Sequence, residues 1–122
     1  MADKTEIDKA VAAHAAWKTR LKTAIDSGKI DMPLATIRVD NQCPFGQWLH
    51  GPKLTAADKN SAHYKSVKDQ HAEFHKVAAQ VAELALTRKL EQAKQMLSVT
   101  GEFTKVSTKL TTAMIDWKKN TA

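Results

Sequence analysis

Residues 64–85, YKSVKDQHAEFHKVAAQVAELA, carry the clearest helical pattern in the chain. Core-type residues recur there at alternating steps of three and four, the spacing of one face of a helix. One position of this seam is a histidine, and its members are Tyr64, Val67, His71, Phe74, Ala78, Val81 and Ala85. The pattern predicts a long helix over about residues 55–86, with His71 in the core.

Two further segments show the same periodicity. The first covers residues 5–27, ends before Gly28, and has an apolar stripe of Ile7, Val11, His14, Trp17, Leu21 and Ile25. The other covers residues 90–117, with Ala93, Leu97, Phe103, Val106, Leu110, Ala113 and Trp117 on its stripe. Because only a short link after Thr87 separates it from the preceding helix, we expect the two to pack antiparallel.

The segments between these helices are short. Residues 28–42 lack strong periodicity and contain Pro33, which predicts a connector with at most a short helical turn. The stretch CPFGQWLHGP at residues 43–52 predicts a short helix, since proline suits the first helical position and Gly51-Pro52 ends it. We therefore predict an all-α fold, an antiparallel bundle of three long helices plus one or two short ones. Residues 1–122 are expected to form a single domain.

Composition supports this class and argues against several others. Four glycines and three prolines in 122 residues leave few turns for a sheet protein. The net charge of +6 comes from lysines spread along the chain among acidic residues, so we expect solvated helix faces and no nucleic-acid partner. Apolar runs are too short to span a membrane, which predicts no membrane insertion. The charged amino terminus does not resemble a secretory signal, which predicts a cytoplasmic location.

Three histidines are placed where core residues belong. His14 lies on the first apolar stripe, and His71 and His75 are four positions apart, so that both rings project from one helix face. A buried imidazole without a partner costs about 1–3 kcal/mol, which makes three in one core hard to explain without a ligand. A histidine pair at this spacing is also common on solvent-facing helices, and that alternative remains open at this point.

Cys43 is the only cysteine, so an internal disulfide is excluded. A lone cysteine is often a small buried hydrophobic residue, but this one precedes Pro44 and is predicted to cap the short helix. The helix amino terminus should favour its thiolate, which is the form that binds metal. One cysteine with three histidines matches a tetrahedral zinc shell, and this donor set favours zinc over magnesium, calcium or manganese. Iron and copper remain open, and His50 and His63 are predicted to be exposed.

Three blocks together resemble the chemoreceptor zinc-binding (CZB) domain family: HAAW at residues 14–17, followed by KTRL, then CPFGQWLHG at residues 43–51 and HAEFH at residues 71–75. The resemblance implies that the zinc ligands are His14, Cys43, His71 and His75. It also implies a helical fold, bacterial origin, a cytoplasmic setting and a homodimer. Such domains are appended to chemoreceptors or diguanylate cyclases, whose output they make responsive to zinc. No signalling hairpin or cyclase domain is recognisable here, so the chain is either free-standing or an excised domain.

These observations favour a non-catalytic, zinc-responsive regulatory domain that controls a bacterial signalling output such as a chemoreceptor in chemotaxis or a diguanylate cyclase. One alternative is a sensor of oxidants such as hypochlorous acid that acts through Cys43, and another is a structural, zinc-stabilised interaction module. A zinc hydrolase is disfavoured, because four protein ligands close the shell and Glu73 is expected to point away from it. Four aromatic residues are expected to form an apolar shell around the metal: Trp17, Phe45, Trp48 and Phe74.

Overall fold

The computed structural model describes residues 3–120, and within that range all regular secondary structure is helical. The elements are α1 (Lys4–Ala15), α2 (Trp17–Ser27), α3 (Leu34–Arg38), α4 (Pro44–His50), α5 (Ala56–Asn60), α6 (Ala62–Leu86), α7 (Leu90–Met96) and α8 (Glu102–Lys119). The predicted all-α class is therefore confirmed.

Helix α6 is the centre of the fold. Every residue of its predicted seam is buried, and α6 packs against α8, α3, α2, α7 and α5. Its amino terminus is capped by Ser61, whose hydroxyl accepts a hydrogen bond from the amide of Tyr64. Burial of an apolar face against several neighbours supplies most of the stability of such a helix. Helix α6, which has the most neighbours, is also the longest element.

The three segments predicted as unbroken long helices are each interrupted, and that part of the prediction was wrong. Ala16 separates α1 from α2, although its own dihedral angles stay right-handed helical. Ser61 is extended between α5 and α6, and Gly101 is extended before α8. At Ser61 local side-chain hydrogen bonds replace helical ones, because its hydroxyl donates to the carbonyl oxygen of Asp58 and accepts from the amide of Tyr64. The short segments are consequently more numerous than predicted.

The predicted end signals are confirmed. Gly28 follows α2 in the left-handed conformation, with φ of 74°, which glycine adopts without steric cost. Pro44 is the first residue of α4, and Cys43 is its N-cap. The cysteine is thereby held at a fixed helix end rather than in a free loop.

The core joins the apolar faces of these helices into one cluster, and its members from outside α6 include Ile7, Leu21, Ile37, Leu49, Phe103, Leu110 and Met114. Among the residues that the structure describes, no helix has both the length and the apolar character needed to cross a membrane. The three predicted core histidines are buried inside this cluster of apolar side chains.

Candidate metal centre

Four side chains from three separate parts of the chain converge beside α6. His14 lies in the last turn of α1, Cys43 caps α4, and His71 and His75 stand one turn apart on α6. One ligand atom from each lies within 4.8 Å of all the others. The three histidines are at most 3% exposed, whereas Cys43 is half-buried. The structure thus brings together all four residues singled out in the sequence, and they are placed to hold a metal ion.

The distances between donor atoms suit a small tetrahedral ion. The Nε2 atom of His71 lies 3.1 Å from Nε2 of His14 and 3.0 Å from Nε2 of His75. The Sγ atom of Cys43 lies 3.4 Å from Nε2 of His71 and 3.6 Å from Nε2 of His75. A tetrahedral zinc site with ordinary bond lengths has N···N edges of about 3.3 Å and S···N edges of about 3.6 Å. Four of the six edges therefore already have nearly the dimensions of a zinc shell, and the other two, which join His14 to Cys43 and to His75, are at most 4.8 Å long.

Backbone carbonyls orient two of the three rings. His14 Nδ1 donates to the carbonyl oxygen of Ala10 at 2.7 Å, and His75 Nδ1 donates to that of Ile37 at 2.9 Å. Because a carbonyl oxygen can only accept, Nδ1 must carry the hydrogen in both rings. In the neutral rings Nε2 then presents a lone pair toward the centre. This is the usual arrangement around a metal-bound histidine, whose second nitrogen is fixed by an outer hydrogen bond.

The converging nitrogens lack a full set of hydrogen-bond partners among themselves. His71 Nε2 faces the lone pairs of both His14 and His75, and a hydrogen on it could serve only one of them. Of the buried side-chain nitrogen and oxygen atoms in the described residues, His71 Nδ1 is the one without a partner. Lone pairs held about 3 Å apart repel unless a cation lies between them, so the donor set fits a metal ion better than it fits a hydrogen-bonded core.

Burial keeps the imidazoles neutral. Desolvation lowers the pKa of His14 to about 4, although its bond to Ala10 opposes the shift and His75 adds to it. Desolvation, with repulsion from His75, His14 and His50, lowers the pKa of His71 to about 2. The pKa of His75 is also lowered by burial. Neutral rings are what metal binding requires, because a protonated nitrogen cannot coordinate.

The thiol of Cys43 behaves differently from the sequence-based expectation. Its Sγ accepts a hydrogen bond from the amide of Gly46 at 3.3 Å, as an N-cap side chain should. Burial nevertheless outweighs this effect and raises the pKa of the metal-free thiol, with a smaller contribution from Asp40. The helix end does favour the thiolate, as predicted, since its backbone amides lower the pKa, but burial decides the net direction in the metal-free chain. A bound divalent ion reverses the balance, since a coordinating thiol loses its proton.

Aromatic rings enclose part of the site. Phe45 meets His71 edge-on at 5.1 Å between ring centroids, and Phe74 meets His14 in the same way at 5.1 Å. Trp48 stacks on Phe45 one layer further out. Trp17 is buried and lines the same cavity as His14. The predicted apolar shell is thus in contact with the imidazoles through its two phenylalanines.

The remaining polar candidates lie outside the cluster. His50 is exposed, as predicted, and its Nε2 lies 3.4 Å from Oδ2 of Asp40. His63 is half-buried rather than exposed, and it is not part of the cluster. Glu73 is exposed between the two histidines of α6, as its position on the helix predicts. No carboxylate from the described residues joins the four clustered side chains.

Sequence reasoning missed the groups that support the ligands. Ala10 precedes His14 by one helical turn, so the spacing alone could have identified its carbonyl. Ile37 and His75 are 38 residues apart, and no local pattern indicates their contact. Gly46 lies so close to the backbone of Asp40 that an added Cβ would collide with that carbonyl oxygen. The glycine in the CPFG stretch therefore allows the loop to fold over the start of α4.

Together, the helical fold and this donor set define a metal-binding domain of the three-histidine, one-cysteine type. The family model of the chemoreceptor zinc-binding domain matches residues 14–82, which include all four clustered residues. The chain belongs to the chemoreceptor zinc-binding domain family. Comparisons with curated proteins and with solved structures found no match to this chain.

Proposed function

We propose that the protein binds one zinc ion through His14, Cys43, His71 and His75. The observation that carries this proposal is the convergence of three imidazole nitrogens and one sulfur atom, with four of their six separations close to the edges of a zinc tetrahedron. Zinc, when bound, would supply a positive charge between the facing lone pairs of these donors. Four protein ligands would close its shell, which supports a non-catalytic role.

We further propose that zinc occupancy is regulatory. The ligands belong to α1, to the start of α4 and to α6, so a bound ion would clip three segments together. Without it the donors repel one another, and α1 and the loop before α4 should loosen. Such a change in order can control an output only if the metal binds one state more tightly than the other. Family membership supports a bacterial, cytoplasmic signalling partner such as a chemoreceptor or a diguanylate cyclase, and a homodimeric helical bundle.

Metal analysis and calorimetric melting of the purified protein test this function. We expect equimolar zinc, a clear fall in melting temperature with a strong chelator, and loss of both effects in His71→Ala. His63→Ala is the matched control, because it removes an imidazole from the same helix but outside the cluster. An unchanged melting profile after verified zinc removal would contradict the regulatory proposal. Competition with chelators of graded affinity then separates exchangeable zinc from permanently bound structural zinc.

A second candidate function is oxidant sensing, and the exposure of Cys43 favours it. Cys43 is the one member of the cluster that is half-buried rather than buried, and it lines a cavity that is partly open to solvent. Oxidation of the thiolate by hypochlorous acid would form a sulfenic acid with release of chloride, and a weaker ligand would result. Mass spectrometry of Cys43 after mild oxidant, with zinc release followed in parallel, tests this reading. A thiol that stays reduced while zinc stays bound would rule it out.

A further inference from the structure

A cavity of about 420 Å³ lies beside the metal centre and is partly open to solvent. Its walls come from α1, the start of α2, α3 and the start of α4, and three of the clustered side chains, His14, Cys43 and His75, form part of them. His71 does not line it. The cavity therefore meets one side of the metal centre, and this side includes Cys43, the half-buried member of the cluster.

The remaining walls are mainly apolar, and those that matter most here are Ala10, Ala13, Trp17, Met32, Ile37 and Phe45. The cavity falls within the roughly 300–1,000 Å³ that is typical of small-molecule sites. It is also well above the roughly 150 Å³ that holds one benzene ring in an engineered protein core. Its size and composition therefore fit an organic molecule larger than a single ring.

The charged groups at the cavity already have partners. Lys9 lies 3.8 Å from Glu6, and the guanidinium of Arg20 lies 2.7 Å from a carboxylate oxygen of Asp31. The same guanidinium stacks over the ring of Trp17 at 3.9 Å. A charged ligand would compete with these contacts, whereas an uncharged one would leave them in place. The half-buried Thr36 and the exposed Gln42 can each offer a hydrogen bond to one polar group.

We propose that this cavity binds a small, uncharged, mainly apolar molecule of about two fused rings, which covers the sulfur of Cys43 when bound. The site goes beyond zinc binding and does not rest on it, because its walls are mostly residues outside the metal cluster. Binding would have a consequence for the neighbouring thiol. While the cavity is filled, reagents in solution reach Cys43 less readily.

Methyl NMR of the full chain with [¹³C-methyl]methionine, titrated with 1-naphthol as the probe, tests the proposal directly. Met96 lines clefts elsewhere and Met114 is fully buried, so these two are internal references. Met32 lines the cavity and also a second, more open cleft, and the Ala13 variant below distinguishes the two. We expect a saturable shift of the Met32 resonance alone, assigned with Met32→Leu. Zinc-loaded and chelator-treated samples are compared, so a failure of zinc binding and a failure of the cavity site are distinguishable.

Two alanines of α1 provide a matched pair of variants. Ala13 lines the cavity and Ala12 does not, although both are exposed on the same helix. We expect Ala13→Trp to fill the cavity and weaken 1-naphthol binding at least tenfold, while Ala12→Trp binds as the wild type does. Because both positions are exposed, neither substitution disturbs the core, and circular dichroism checks that both variants fold.

A second measurement links the ligand to the thiol. The rate of Cys43 alkylation by iodoacetamide should fall several-fold at saturating 1-naphthol. The proposal is overturned if Met32 does not shift, if Met32, Met96 and Met114 shift alike, or if Met32 shifts while the alkylation rate stays constant. It is also overturned if the Met32 resonance shifts when the protein is diluted without probe and Ala13→Trp lowers the oligomeric state. Those two results would mean that a second copy of the chain occupies the cavity.

Discussion

His75 Nδ1 donates a 2.9 Å hydrogen bond to the backbone carbonyl oxygen of Ile37, which precedes it by 38 residues. This contact joins α3 to the metal centre, because the same ring directs Nε2 at the other donors. Ile37 is itself fully buried, and α3 packs on α6. The segment between α2 and α4, which the sequence predicted only as a connector, therefore supports a ligand. A rotation of the His75 ring would break its hydrogen bond to this segment.

Gly46→Ala should disrupt the centre without touching a ligand. The new Cβ would collide with the carbonyl oxygen of Asp40, so the loop before α4 would have to move and would carry Cys43 with it. We expect a loss of about 1–3 kcal/mol in the free energy of unfolding, as for other overpacked sites, and at least a tenfold loss of zinc affinity. Denaturant unfolding and chelator competition measure the two effects.

Gln47→Ala is the control for that glycine, because Gln47 is the next residue of α4, is exposed, and makes only a long 3.4 Å hydrogen bond to the carbonyl oxygen of Gln42. It should change both quantities little. A Gly46→Ala protein with wild-type zinc affinity would show that the close approach to Asp40 has no part in positioning Cys43.

Tyr64→Phe should destabilise the protein while leaving metal binding intact. The buried Tyr64 hydroxyl donates to the carbonyl oxygen of Leu49 at 2.8 Å, near the carboxyl end of α4. Removal of the hydroxyl leaves that carbonyl without its partner, at a cost of about 1–2 kcal/mol. Denaturant unfolding should show this loss, whereas Ser66→Ala at an exposed position of α6 should show almost none. Equal stability of the two variants would contradict the assigned role of the bond.

The metal-free protein should lose stability as the pH falls below about 6.5. His14 and His71 have folded-state pKa values of about 4 and about 2, below the ordinary 6.5, so the unfolded chain binds more protons in this range. Stability is therefore complete above pH 6.5 and is lost as the pH falls toward the folded-state values. Between pH 6.5 and pH 5 we expect a loss of the order of 2 kcal/mol for each of these two histidines.

Denaturant unfolding in a strong chelator at several pH values checks this expectation. Carboxylates with lowered pKa values, such as Asp31 and Asp58, change the stability only at lower pH, because their ordinary pKa is 3.8. His63→Gln should leave the profile unchanged, since that ring lies outside the cluster. Stability that does not vary between pH 5 and pH 7 would mean that the buried rings are not held neutral.

The ion pair between Arg20 and Asp31 should contribute little through its charge. The Asp31 side chain is 71% exposed, and exposed pairs are worth about 1 kcal/mol or less. We expect Asp31→Asn to change the free energy of unfolding by less than about 1 kcal/mol, and Arg20→Ala to cost more because it also removes the stacking on Trp17. Thermal melting of both variants shows which substitution costs more stability. A larger loss for Asp31→Asn would contradict a minor role for the charge pair.

Local sequence patterns were sufficient for much of this fold. The seam of α6 predicted its buried face because side chains three and four positions apart share one side of a helix. Gly28 and Pro44 marked helix ends because their backbone preferences act within a few residues. The four residues of the metal centre were identifiable in the same way, from polar side chains at core positions and a cysteine before a helix start.

The break at Ser61 has a local cause that periodicity misses, whereas the support of the centre depended on tertiary structure. The interruption at Ser61 replaces helical hydrogen bonds with local caps, and periodicity alone does not reveal that exchange. The bond from His75 to Ile37 exists only because α3 packs on α6. Burial, which depends on all neighbouring elements, outweighed the expected effect of the helix end on the pKa of the Cys43 thiol. The sequence by itself determined which side chains could serve as donors, because helical spacing is local; packing of distant segments decided how they are oriented, protonated and exposed.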